Sequence, residues 1–333
     1  MRVRKRSTKV SLLSAVLVAV MSMVLAACGS DSDGPPGADD GDMTTVKVGV
    51  LPITSLAPVR LGVEKGFFEE EGLKLELEVA QSGAALVPAV VSGQYEFGYS
   101  NTLSLVLGHG KGLPLRIVRS ANSAGSEPEP SQEALVVAED SGITSVKQLE
   151  GKTIALNSLN NTPHISVLAT LEKAGVNTDS VDFVEAGYPD MALALSEGRF
   201  DAAQIVEPFL TDVLKKGFVD LAHPYRDFEP DQHIASWFTT QDYIDSNPEV
   251  VDAFARAVDK SNAYARENSE EVREIVPTYL DIDPQLAQDM ALAGFPEGTP
   301  DVAQLERLAA AAEKYGFVEK APENLDEVIA DID

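Results

Sequence analysis

The sequence predicts an α/β protein made of two similar units, each with a mainly parallel sheet, and three observations lead there. An ungapped shift of 105 residues lays Leu51 on Leu156, Pro58 on Pro163, Val79 on Val184, Gly93 on Gly198, Tyr95 on Phe200 and Glu96 on Asp201, the mark of an internal repeat. Within each unit, short β-rich runs alternate with segments of helical period, as in a sheet covered by crossover helices. From Asn247 onward the pattern is almost wholly helical.

The elements of the two units can be read in parallel. "TVKVGVL" and "GKTIALN" are β-rich runs ending in polar or Pro-containing loops, and "APVRLGVEKGFF" and "TPHISVLATLEKAG" are helical in period and open with Pro. "LKLELEV" and "SVDFVEA" are strand-like, and "GQYEFGYS" and "GRFDAAQI" each place a Gly turn before a strand. The order is strand, helix, strand, helix, strand in both. Thr162-Pro163, Asn247-Pro248, Asp283-Pro284 and Thr299-Pro300 each pair a capping residue with Pro at a helix start. The C-terminal segments "PEVVDAFARAVDKSNAYA", "PQLAQDMALAG" and "VAQLERLAAAAEKYGF" carry apolar residues at three- and four-residue spacing. With no strand pattern of their own, they are expected to pack back on one α/β unit.

The N-terminus reads as an address. Arg2, Arg4, Lys5, Arg6 and Lys9 precede an apolar run from Val10 to Leu25 and then Leu25-Ala26-Ala27-Cys28. The apolar run is shorter than the ~20 residues of a membrane span, and small residues ending at the chain's only cysteine resemble a bacterial lipobox. Lipidation at Cys28 would leave no thiol for disulfides, metal ligation or nucleophilic catalysis. Residues 29–44 are Gly, Pro, Asp and Ser with little to bury, which predicts a flexible acidic tether. Removing residues 1–27 takes five of 26 basic groups and no acidic ones, so the net charge falls from -27 to 21 - 53 = -32. Such a balance speaks against nucleic acid as a partner.

The stretches "PVRLGVEKGFFEEEGLKLELEVAQSGAALVPAVVSGQYEFGYSNTLSLVL", "SGITSVKQLEGKTIALNSLNNTPHISVL" and "YPDMALALSEGRFDAAQIVEPFL" carry a family resemblance. In order and spacing they resemble the solute-binding proteins of ABC importers for nitrate, sulfonates, taurine and thiamine-pyrimidine precursors, the SsuA/TauA/NMT1-like group. The resemblance implies a type II periplasmic-binding-protein fold that closes on a small solute by hinge motion. Lobe one would comprise residues 46–133 and 235–333, including the C-terminal helices, and lobe two residues 134–234. Crossovers near "EALVV" and "ASWF" would form the hinge. It further implies a monomer, held to the membrane by lipid on Cys28 at the extracytoplasmic face, that hands its solute to a permease and ATPase and needs no cofactor or metal.

In sheets of this kind ligands collect beyond the carboxyl ends of the strands. The candidate contacts are therefore Pro52, Thr54 and Ser55; Ser82 and Gly83; Ser100, Asn101 and Thr102; Asn122; Asn157, Ser158, Asn160, Asn161 and Thr162; Tyr188 and Asp190; and Glu207. His164 and Trp237 join them, the first as a donor near a helix start and the second as a stacking surface. These loops contain no Arg or Lys, and hydroxyls, amides and helix amino ends can hold an anion without one. A mostly neutral heteroaromatic solute fits them too, and capping and turn chemistry alone explain many of these residue types. An enzyme built on His164 is the rival class. It lacks a metal-ligand spacing of histidines, a G-x-S-x-G motif and a surviving thiol. A lipoprotein that senses a solute for a membrane partner would share the same site.

Overall fold

The computed structural model describes residues 43–125 and 130–332. Cys28, the leader and the tether up to residue 42 lie outside the described residues. Thr44, placed in the tether by composition, is already strand and pairs with Leu73.

The first unit runs β1 (Thr44–Val50), α1 (Ala57–Glu64), α2 (Phe67–Glu70), β2 (Leu73–Val79), α3 (Gly83–Val91), β3 (Phe97–Asn101), α4 (Thr102–Gly110) and β4 (Leu115–Ser123). The second runs β5 (Glu133–Val137), β6 (Thr153–Leu156), α5 (Thr162–Lys173), β7 (Asp182–Glu185), α6 (Tyr188–Ser196), β8 (Ala202–Val206), α7 (Phe209–Lys215), β9 (Val219–Ala222) and α8 (Pro224–Phe228). The chain then returns through β10 (His233–Thr240) and ends in α9 (Gln241–Ser246), α10 (Pro248–Glu267), α11 (Ser269–Ile275), α12 (Pro284–Asp289) and α13 (Val302–Lys314). Strand order is β2-β1-β3-β10-β4 in one sheet and β7-β6-β8-β5-β9 in the other. Under the 105-residue shift β1, β2 and β3 become β6, β7 and β8, so the two orders are the same.

The likeness reaches single atoms. The Glu96 carboxylate accepts from Lys47 N–H at 2.6 Å, and its counterpart Asp201 accepts from Thr153 N–H at 2.9 Å. Gly93 and Gly198 adopt φ of 72° and 68° just past α3 and α6, where a left-handed residue lets the following N–H groups close the last turn. Those closures match, Gln94 N–H to Ala89 O and Arg199 N–H to Ala194 O, both at 3.0 Å or less.

In each sheet one strand runs against the rest. β5 is antiparallel to β8 and β9, and β10 is antiparallel to β3 and β4. These are the segments expected to cross between lobes, and a strand entering from the cleft must run away from it. The crossings are also tied together: Ser123 pairs with His233, and Ala124 N–H donates to Gln232 O at 2.8 Å.

Helix starts differ from expectation at three places. Asn161, not Thr162, caps α5, accepting from His164 N–H at 2.9 Å, because its side chain reaches the third residue of the helix. Thr299-Pro300 lies ahead of α13, which Asp301 caps through Gln304 N–H. Asn247 precedes α10 without capping it, its amide turned back to Tyr243 O.

The C-terminal helices lie mainly on the first unit. α10 and α11 pack on α1, and α13 packs on α4 with a further contact to α5. Phe254 of α10 is fully buried, stacked on Phe97 at 3.9 Å and flanked by Phe68 and Trp237 at 5.9 and 6.0 Å. Phe254→Ala is expected to cost about 3–5 kcal/mol by emptying this ring cluster, read as a shift in the guanidinium unfolding midpoint; a loss below ~1 kcal/mol would show that α10 is not the anchor of this lobe.

Candidate functional site

The carboxyl ends of four strands converge on one pocket between the lobes. Leu51 follows β1, Asn101 ends β3, Asn157 follows β6 and Val206 ends β8, and all four line it. Ile53, Ser55, Gly83, Tyr99, Asn122, Gln132, Asn161, Pro163, Tyr188, Tyr225, Ile234 and Ala235 complete the wall. The cavity is small, about 40 Å³, and the lobes meet beside it, where Thr162 bonds Asn101 and Leu103. The amino ends of α3, α4, α5 and α6 border it: Gly83 and Tyr188 are first helical residues, and Asn101 and Asn161 are caps. None of the residues lining it carries a charge.

Of the contacts expected from sequence, Ser55, Gly83, Asn101, Asn122, Asn157, Asn161 and Tyr188 are brought together here. The others lie outside the pocket for identifiable reasons. Pro52 is beside it but not in its wall. Thr54 is buried against Met290, its hydroxyl 3.9 Å from the sulfur. Ser82 caps α3 through Ala85 N–H, and Ser100 is buried beneath Gly83, where an added Cβ would meet the Ser100 Cα at 2.7 Å. Thr102 bonds His233 O and the Ser236 hydroxyl, tying α4 to β10. Ser158 is buried in the α5 loop, Asn160 is an exposed turn residue with φ of 54°, and Asp190 is exposed in the first turn of α6. Thr162 turns to the opposite lobe and bonds Leu103 N–H.

Three side chains singled out for ligand chemistry do structural work. Trp237 is 1% exposed and packs edge-on against Tyr99 at 5.5 Å, which fixes a pocket tyrosine whose hydroxyl donates to Asn122 Oδ1 at 3.0 Å. The Glu207 carboxylate accepts from Thr211 N–H, the Thr211 hydroxyl and Ala291 N–H, at 3.0, 2.7 and 3.1 Å. Burial pushes its pKa up to about 6, against the pull of those donors. His164 is wedged between Phe183 and Phe317, ring centres 4.3 and 4.8 Å away, and its Nδ1 accepts from Asn160 N–H at 3.1 Å. Burial lowers its pKa to about 4, so it is a neutral acceptor that holds the Asn157–Asn161 loop in place.

The sequence reading missed Tyr99, Gln132 and Tyr225. Tyr99 shares a face of β3 with Asn101 two residues on, a signal that strand alternation carries. Gln132 sits at the first crossing, ahead of β5, and Tyr225 follows the end of β9, a strand beyond the three read in each unit. Directly behind them Glu133 is fully buried, accepting from Tyr225 N–H at 2.9 Å and Gln204 Nε2 at 3.1 Å. Burial raises its pKa to about 8, so it holds its proton at neutral pH and puts no negative charge behind the pocket. Arg119 pairs with Asp259 at 2.6 Å, Arg116 contacts His109, and Arg60 lies over the Tyr279 ring, and none of the three lines the pocket.

His164 makes stability pH-dependent with a definite sign. Its folded pKa lies below its unfolded value near 6.5, so the unfolded chain binds the extra proton and stability falls as pH drops from 6.5 toward 4, by roughly 3 kcal/mol in all. Glu133 and Glu207, raised by burial, act in the opposite sense. The difference between wild type and His164→Gln isolates the histidine: the variant is expected to lose this part of the acid slope in unfolding titrations, and identical slopes would mean that the ring is not buried neutral.

Comparison with known proteins agrees with this architecture. The signature described as NMT1/THI5 like matches residues 53–272, more than half of the chain. The taurine-binding periplasmic protein of Escherichia coli (strain K12) is 29% identical over 223 residues, covering 66% of this chain and 67% of that protein. A putative aliphatic sulfonates-binding protein of Bacillus subtilis (strain 168) is 24% identical over 282 residues, covering 83% and 80%. Among solved structures, the alkanesulfonate-binding protein SsuA from Xanthomonas axonopodis pv. citri bound to MOPS superposes with a TM-score of 0.71 at 16% identity, covering 86% of this chain and 98% of that one. The two-lobed periplasmic-binding-protein fold expected from sequence is thus the fold of the structure, and the chain belongs to the NMT1/THI5-like family.

Proposed function

We propose that this protein is the extracytoplasmic solute-binding component of an ABC importer, anchored by lipid on Cys28, and that it captures a small solute with an oxyanion head such as a sulfonate. Its partners are then that solute and a membrane permease with its ATPase. Family membership and the names of the relatives support the transport role. The head group follows from one observation: the amino ends of four helices from both lobes border a pocket whose wall carries no charged side chain.

Helix amino ends supply positive potential without a counter-cation. Part of their hydrogen-bonding capacity is already committed, since Thr162 N–H and His164 N–H of α5 go to the Asn101 and Asn161 side chains. At that wall the solute meets amide groups of Asn101, Asn157 and Asn161 more than free backbone. The remainder of the solute faces Leu51, Ile53, Val206 and Ile234. No carboxylate lines the pocket to balance an ammonium group, because Asp190 points to solvent and Glu207 is spent on α7.

Calorimetry of the full chain against ethanesulfonate, taurine, nitrate and an aminopyrimidine tests the reading. Ethanesulfonate is expected to bind more tightly than taurine; tighter aminopyrimidine binding would move the assignment to a heteroaromatic solute held by the three tyrosines. Turnover of any of the four would overturn the binding role itself. Asn157→Ala combined with Asn161→Ala is expected to weaken ethanesulfonate binding by about 1–3 kcal/mol, and an unchanged affinity would remove this wall from the site.

A further inference from the structure

The amino ends of α4 and α5 belong to different lobes, yet each completes the capping of the other. The Asn101 side-chain oxygen accepts from Ser104 N–H of its own helix at 2.9 Å and from Thr162 N–H of the opposite helix at 3.2 Å. Thr162 answers: its hydroxyl oxygen accepts from Leu103 N–H at 3.2 Å and donates to Asn101 Oδ1 at 3.4 Å. The first-turn N–H groups of any helix have no partner within the helix, so these bonds are satisfied by protein only while the lobes are together. Thr162 is fully buried and is not part of the pocket wall, although both its neighbours in sequence, Asn161 and Pro163, are.

One backbone bond also crosses, Thr54 N–H to Glu207 O at 3.4 Å, but the other side-chain links across the lobes are of a different kind. Glu172 with Lys314, Asp289 with Lys215 and Glu229 with Arg307 are ion pairs open to solvent, the first joined by a hydrogen bond from the Tyr315 hydroxyl, and such pairs contribute little in water. The Glu207 bond to Ala291 N–H is buried, but that carboxylate also caps α7, so it serves one lobe whether or not the other is near. The Thr162 hydroxyl has its hydrogen-bond partners, Asn101 and Leu103, only on the far side of the cleft.

We propose that Thr162 is the closure catch of this protein: a positioning residue that sets how long a solute is retained without touching it. The proposal rests on the solute-binding reading for its consequence, though not for its geometry. Losing the hydroxyl leaves Leu103 N–H to water in the open state and without a partner in the closed one, so closure weakens while the open cleft and the encounter with solute are unchanged.

The test uses the full chain with Thr162→Val, which keeps shape and removes the hydroxyl, and Thr162→Ser, which restores it. Hydrogen exchange without solute is expected to speed up in peptides covering 101–106 and 160–166 in Thr162→Val alone, with amides away from the contact between the lobes unchanged. With ethanesulfonate as probe, the dissociation rate is expected to rise about five- to tenfold, the scale of one hydrogen bond, with association within twofold of wild type and Thr162→Ser close to wild type. Unchanged exchange in both peptides overturns the catch, and so does an affinity loss carried by association, or one that Thr162→Ser shares equally. If ethanesulfonate fails to bind wild type, the sulfonate reading falls, and the exchange measurement still decides the catch.

Discussion

Each sheet of this protein is completed by an antiparallel strand that enters it directly from a crossing between the lobes. β10 enters between β3 and β4, and β5 between β8 and β9. Without its visitor each sheet would divide into a parallel trio and a stranded edge, leaving rows of backbone groups unpaired. The same strands position the site. β5 begins one residue after Gln132, and β10 contributes Ile234 and Ala235, so the segments that join the lobes also lay the floor of the pocket. Pocket geometry and lobe integrity therefore cannot be separated.

The electrostatics of that floor are local. The chain beyond its leader carries a formal charge of -32, but exposed charges farther than the ~8 Å screening length at physiological salt exert little influence on a buried site. What matters lies within a few ångströms: helix amino ends, neutral amides, and a Glu133 carboxyl kept protonated by burial. The rigidity of the wall has a similarly short-range origin. Trp237 presses on Tyr99, Tyr99 holds Asn122, and His164 holds the turn that carries Asn157 and Asn161. These residues shape the site from one layer behind it.

Much of this was legible in the sequence, because the repeat is written in residues whose roles are set by backbone geometry. A glycine that must close a helix, or an acidic residue that must brace the neighbouring strand, leaves a mark at a fixed offset. Gly93 with Gly198 and Glu96 with Asp201 did so. The strand-end rule likewise picked out Asn101, Asn122, Asn157 and Asn161, which line one pocket. It could not say which way each loop residue points, and so Ser100, Thr102, Asn160 and Thr162 were included with their neighbours although packing turns them elsewhere. Chemical character misled for His164, Trp237 and Glu207, whose functional groups are consumed by aromatic rings and backbone donors that only the tertiary structure supplies. Gln132 escaped because it precedes a strand at a crossing, where sequence marks a boundary and not a direction, and Tyr225 because it follows β9, a strand beyond the three read in each unit.

The two crossings lie edge to edge, joined where Ser123 meets His233 and Ala124 meets Gln232. Joined in this way they behave as the spine of a book: the covers swing, but neither slides along the other. Sliding would break these bonds and bending would keep them, so for a solute the matter is how far the covers can shut over it. On the solute-binding reading, a molecule slightly too large would still enter, but would hold the lobes apart by the last ångström and leave again, so that size would be discriminated in residence time and not in access.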